Sequence, residues 1–234
     1  MTDLRLSAIE NRGYMKPEDL AETYPLLYHM ANEGTWPSIR KYGLLTTRQL
    51  VELSRPALGV ADAILKRRRP SSVELMLAGQ AFQVRDQAPL RLNFLESCLQ
   101  DMTVQEWLDV LNGRVFFWLT AEKLGQLLAA RRYRNRSHDV LVVSTKSLLS
   151  EYGDAVRLSP VNSGATLYPN ASARGPETFR TIGNYDFTAW RKRRGLGGAI
   201  VELAVVDGVP NISNHVVRVE RRHQAQVLEV LFQR

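Results

Sequence analysis

A single cysteine, Cys98, stands in 234 residues, which excludes an internal disulfide framework and a Cys-rich zinc site and fits a reducing, cytoplasmic compartment. Long apolar runs are missing as well. No stretch approaches the roughly 18 residues that a membrane span needs, so no membrane partner is expected. Asp3, Arg5 and Glu10 interrupt the segment where a secretory signal needs an unbroken apolar core. The glycosylation sequons beginning at Asn135, Asn170 and Asn211 are therefore read as chance matches. The four histidines, His29, His138, His215 and His223, are scattered without ligand spacing, and no metal site is expected. There is no Walker loop and no Gly-x-Ser-x-Gly elbow, and Cys98 falls in a helical pattern with Leu95 and Leu99, as a packed residue rather than a nucleophile.

Positive charge, by contrast, is in excess. Lys and Arg number 31 against 24 Asp and Glu, a net charge of +7 that favours a polyanionic partner such as DNA, RNA or a nucleotide. Three runs concentrate it: Lys66 to Arg69, Arg131 to Arg136 and Arg191 to Arg194. In the second, Tyr133 sits among Arg131, Arg132, Arg134 and Arg136, an interleaving that suits a phosphate backbone with a base stacked on the ring. Arg131, Arg132, Arg134, Arg191 and Arg193 are the candidate nucleic-acid contacts. The other reading is that each run is a solvated helix end whose cations complement the helix dipole.

Periodicity gives one α+β domain over residues 1–234. Strands are expected near residues 26, 82, 115, 140, 200 and 216. Helices are expected over 16–24, 48–53, 60–66, 102–112 and 145–152, with another opening at Thr120. Arg114 to Leu119 reads as a central strand and His138 to Thr145 as a buried one. Val209 to Ile212 reads as a short strand, and Gly195 to Gly198 as a string that feeds the strand Ala199 to Val206 with no helix after it, hence no dinucleotide fingerprint. Residues 158–179 form a long irregular region. Its Ser159 to Thr166 portion has the hydroxyl and amide content of a ligand-facing loop, and Asn170 to Pro176 the composition of a mobile lid. Leu228 to Gln233 matches a rhinovirus protease recognition string used in expression vectors, with Arg234 where Gly is expected, and equally reads as a last strand or helix.

The most informative stretch runs from Leu26 to Thr47. An apolar run delivers Tyr28-His29, a turn-rich linker follows, Pro37 opens a short helix and Gly43 closes it. This layout resembles the opening of ADP-ribosyltransferase-like domains, especially the DarT-type DNA-modifying branch, whose first strand carries an aromatic-His pair ahead of a "SI…GL" helix. The segment Val84-Arg85-Asp86 to Pro89 resembles that family's second motif, and "VELAV" at Val201 to Val205 resembles its late strand. The resemblance implies a split β-sheet core with surrounding helices, NAD as cofactor, and transfer of ADP-ribose to a nucleic acid or protein. It implies roles for Glu202 and His29 as catalytic residues and for Tyr28, His29, Arg85 and Ser163 in holding the dinucleotide, Arg85 as a bidentate diphosphate clamp. It also implies an antitoxin or inhibitor protein as partner. The placement of Tyr28, His29 and Arg85, each at the end of an apolar strand with turn residues beside it, leads to the expectation that the three share a pocket. Where the family has Thr or Ser two residues past the His, this chain has Ala31. Glu177, beside the long loop, is the second candidate for the catalytic acid. The alternatives are a non-catalytic basic nucleic-acid-binding protein and an NAD-dependent RNA 2'-phosphotransferase-like enzyme.

Overall fold

A computed structural model of the chain describes Leu6, Ile9 and residues 14–234; Asp3, Arg5 and Glu10, which bear on the secretory-signal reading, lie outside these residues. The strands are β1 (Leu26–Asn32), β2 (Val73–Leu77), β3 (Gln80–Val84), β4 (Arg114–Phe117), β5 (Ser137–Ser144), β6 (Val156–Ser159), β7 (Glu202–Val206), β8 (Val216–His223) and β9 (Gln226–Gln233). Around them pack α1 (Pro17–Thr23), α2 (Trp36–Tyr42), α3 (Thr47–Ser54), α4 (Leu58–Lys66), α5 (Leu92–Cys98), α6 (Val104–Asn112), α7 (Ala121–Leu128), α8 (Thr145–Tyr152), α9 (Phe187–Arg194) and α10 (Leu196–Ala199). The architecture is α+β, and every strand pairing is antiparallel.

Two sheets form the frame. One has the order β1-β5-β8-β9 and the other β4-β7-β6, while β2 and β3 make a separate hairpin. Six consecutive residues of β5, His138 to Val143, are buried, because both faces of this strand are covered. Leu141 and Val143 face the largest core cluster, and Val140 faces a second one with Met30, Leu124 and Leu128. The two sheets meet at Tyr28 and Trp118, whose backbone N–H groups each donate to the other's carbonyl at 2.9 Å.

Local chemistry explains many of the boundaries. Thr103 accepts from the Glu106 amide, and Glu106 returns the bond to the Thr103 amide at 2.7 Å, a capping box that starts α6. Thr46 and Gln49 do the same for α3. Gly43 ends α2 at φ +88°, and a Cβ there would lie 2.4 Å from the Pro210 carbonyl oxygen. Only glycine allows the chain to pass so close to the 209–212 segment.

Several expectations need correction. Val209 to Ile212 is not a strand: Val209 makes one bridge to Leu44 and a 3₁₀ turn follows at Ile212–Asn214. The Gly195 to Gly198 string is itself largely helical, since α10 spans Leu196–Ala199, and the strand it feeds, β7, begins only at Glu202. Arg114 to Leu119 ends as a strand at Phe117 and lies at the margin of its three-stranded sheet, next to the junction with β1. Leu228 to Gln233 belongs to β9, which pairs with β8 and sets the Phe232 ring 5.7 Å from Trp36. Among the described residues no helix is long and apolar enough to cross a membrane.

Candidate functional site

Glu202 opens β7, opposite Ser159 of β6. Its side chain is only 5% exposed, and its Oε2 accepts a hydrogen bond from the Ser163 amide at 3.0 Å. Burial raises its pKa to about 7, although the Ser163 hydrogen bonds and the nearby charge of Arg174 pull the other way. Arg174 is itself buried. Its guanidinium donates to the carbonyls of Ser172 (2.6 Å), Asn162 (2.9 Å) and Ala165 (2.6 Å), while its backbone pairs with Cys98 and Gln100. The Asn170 to Pro176 segment, read from composition as a lid, is therefore fastened at Arg174 to α5 and to the loop that covers Glu202.

Directly opposed residues of antiparallel strands share a face. Tyr28 and Trp118 are such a pair, and the Phe117 to Leu203 register places Trp118 beside Glu202 one step further on. Continuing that register one residue past the end of the ladder aligns Tyr28, Trp118 and Glu202 across the junction of the two sheets. His29, the neighbour of Tyr28, leaves β1 on the opposite face. Its ring lies 5.7 Å from Phe117, and Nδ1 sits 2.9 Å from the Phe116 carbonyl oxygen. A carbonyl only accepts, so Nδ1 carries the proton and Nε2 the lone pair. Burial lowers the His29 pKa to about 4, the Phe116 bond opposes the shift, and Arg85 adds to it.

A cleft of about 400 Å³ lies at the far end of β1, lined by Asn32, Ser71, Ser72, Arg85, Arg136 and their neighbours Asp86, Arg132, Tyr133 and His138. Arg85 donates to the Met30 carbonyl at 3.0 Å and lies over the Tyr133 ring, 4.8 Å from its centre. Asp86 is paired with Arg132 at 2.9 Å, and Arg132 also donates to the Pro70 carbonyl. His138 closes the floor, its pKa lowered chiefly by burial and also by Arg85 and Arg136.

The structure thus brings Ser163 to Glu202 and ties Arg85 to β1, but of Tyr28, His29 and Arg85 only Arg85 lines the cleft. Arg132 is at the cleft wall, while Arg131 and Arg134 are exposed beside it. Arg193 and Arg194 stack on Trp190 in α9, which packs on the largest core cluster, whereas Tyr133 of the cleft packs on the cluster of Met30, Leu124, Leu128 and Val140. Arg69 is buried and donates to Ile64, Arg85 and Asn112. Glu177 is an exposed partner of Arg180. Sequence reading missed Arg174, Ser71, Ser72 and Asn32; the Pro70-Ser71-Ser72 turn after a basic run was the one local signal for the cleft. Among the described residues no three His, Cys, Asp or Glu side chains cluster as a metal site would require.

The fold and site define an α+β protein with a buried acid at the seam of two antiparallel sheets and a basic cleft at a strand end. Residues 25–216 match the model of a family described as "Family of unknown function (DUF7002)", and the chain belongs to that family. No curated protein matches the chain.

Proposed function

We propose that the chain is an NAD-dependent ADP-ribosyltransferase built on a split-sheet core of that type, with Glu202 as its catalytic carboxylate. The observation that carries this reading is a buried acid at the first residue of a late strand, in line with Tyr28 across the junction of the sheets. Loss of nicotinamide leaves positive charge on the ribose. A carboxylate in a water-poor site stabilises that charge most strongly as it develops. With a pKa of about 7, Glu202 is poised so that an arriving cation draws it into the ionised form. The Ser163 amide fixes the carboxylate's orientation. His29 fastens β1 to β4 through Phe116, which makes it a positioning residue in this reading.

The acceptor is a nucleic acid or a protein. A second reading, a non-catalytic binder of phosphate-bearing ligands, is favoured by one observation, the three guanidinium groups around the strand-end cleft. Incubation with labelled NAD and separate DNA, RNA and protein acceptors tests the first reading. Label transfer or nicotinamide release that disappears in Glu202→Gln supports it; neither product from the unaltered protein rules it out.

A further inference from the structure

The three arginine runs do not form one surface. Arg69 is consumed by backbone and Asn112 contacts, and Arg68 donates to the Ala88 carbonyl. Arg193 and Arg194 are engaged with Trp190, which packs on a different core cluster from the cleft's Tyr133. The Arg131 to Arg136 run contributes to the strand-end cleft, where Arg132 and Arg136 meet Arg85. A long nucleic acid needs a continuous basic track, and this chain offers a local one.

Within the cleft the charge balance is positive, because the single carboxylate, Asp86, is neutralised by Arg132 and leaves Arg85 and Arg136 facing the space. Ser71, Ser72 and Asn32 add hydroxyls and an amide, donors and acceptors suited to phosphate oxygens and sugar hydroxyls. About 400 Å³ falls in the range of small-ligand sites. Arg85 covers one face of Tyr133, and the ring meets His138 edge-on at 5.9 Å. A base would stack on that face of Tyr133 only by displacing Arg85, and recognition is assigned to the phosphate and sugar.

We propose that this cleft is a binding site for a compact phosphorylated ligand of nucleotide size, held by its phosphate between Arg85 and Arg136 and by its sugar against Asn32, Ser71 and Ser72. The site stands independently of glycosyl transfer at Glu202. The same chemistry is offered by a free mononucleotide and by the ADP-ribose portion of a larger molecule, so both belong in the test.

Calorimetric titration at low salt with AMP, ADP-ribose, inorganic phosphate and a single-stranded oligonucleotide decides the matter. Binding is expected for AMP or ADP-ribose, with the tighter of the two naming the source, and weaker binding for inorganic phosphate. Arg136→Gln should weaken the nucleotide about tenfold, since it removes one charge-assisted contact. A Ser71→Ala, Ser72→Ala double variant should weaken it severalfold, and the exposed Lys146→Gln should leave it unchanged. All of these positions are exposed, and thermal unfolding verifies that the variants fold. The proposal is overturned if none of the small phosphates binds, if Arg136→Gln has no more effect than Lys146→Gln, or if the oligonucleotide binds and AMP fails to compete with it. Loss of NAD turnover in Glu202→Gln with nucleotide binding intact would separate the two sites.

Discussion

Tyr28 and Trp118 exchange both backbone hydrogen bonds at 2.9 Å, and through this pair the four-stranded sheet is joined to the three-stranded one. One residue past Tyr28, His29 adds a side-chain bond to the carbonyl of Phe116, two residues before Trp118. The junction is therefore held by backbone pairing and by an imidazole whose burial disfavours the protonated form.

Acid should loosen this junction. The His29 pKa falls from 6.5 to about 4 in the folded protein, chiefly through burial. A depressed pKa means that the stability due to neutral His29 is fully present above about pH 6.5 and is lost as pH falls toward 4. At about 1.4 kcal/mol per pH unit, the loss is at most roughly 3 kcal/mol. His29→Gln has no such proton to take up. Urea denaturation of both proteins at pH 7 and pH 4.5 should show a smaller pH-dependent loss in the variant; equal losses would place the acid sensitivity elsewhere.

Legibility in the sequence followed the range of the interactions. The Tyr28-His29 strand, the α2 helix and its Gly43 stop, and the β5 strand could be read directly, because caps, glycine and apolar periodicity act within a few residues. The pairing of Glu202 with Ser163 was approached from composition alone: a lone acid in an apolar run and a hydroxyl-rich loop. Arg174 was hidden, since nothing near it in sequence announces that its guanidinium will meet the carbonyls of Asn162 and Ala165. Val209 to Ile212 has strand composition, yet its only ladder contact is Val209 with Leu44, and a single bridge does not make a strand. The cleft draws on residues 32, 71, 85 and 136, a convergence that exists only after the sheets have assembled.

Arg174 should be worth more to the loop than any apolar residue in it. Its removal leaves the Ser172, Asn162 and Ala165 carbonyls without their donor and takes a cation from the neighbourhood of Glu202. Arg174→Met keeps much of the volume and loses these bonds, at an expected cost of about 3 kcal/mol in chemical denaturation. The Glu202 pKa should rise further, because the neighbouring positive charge that opposes the shift has gone. Limited proteolysis should then cut within residues 160–175 first. A variant as stable and as resistant as the unaltered protein would show that the loop is held by other contacts.

Glu202→Gln joins the stability and the chemistry of the site in one experiment. The acid's pKa rises from 4.5 to about 7 through burial, so the stability it contributes is fully present below about pH 4.5 and is lost as pH rises through 7. Over that interval the loss is roughly 3 kcal/mol. Gln keeps an oxygen to accept the Ser163 amide and carries no charge at any pH. The variant should therefore match the unaltered protein near pH 4.5 and exceed its stability by up to roughly 3 kcal/mol at pH 8.5. If Glu202 is the carboxylate that stabilises a ribosyl cation, NAD turnover should climb with pH through about 7 in the unaltered protein and fall about a hundredfold to a thousandfold in the variant. A variant that is more stable in base and turns over NAD within a few-fold of the unaltered rate would leave Glu202 a buried acid without a catalytic role, and would move the search to Glu177.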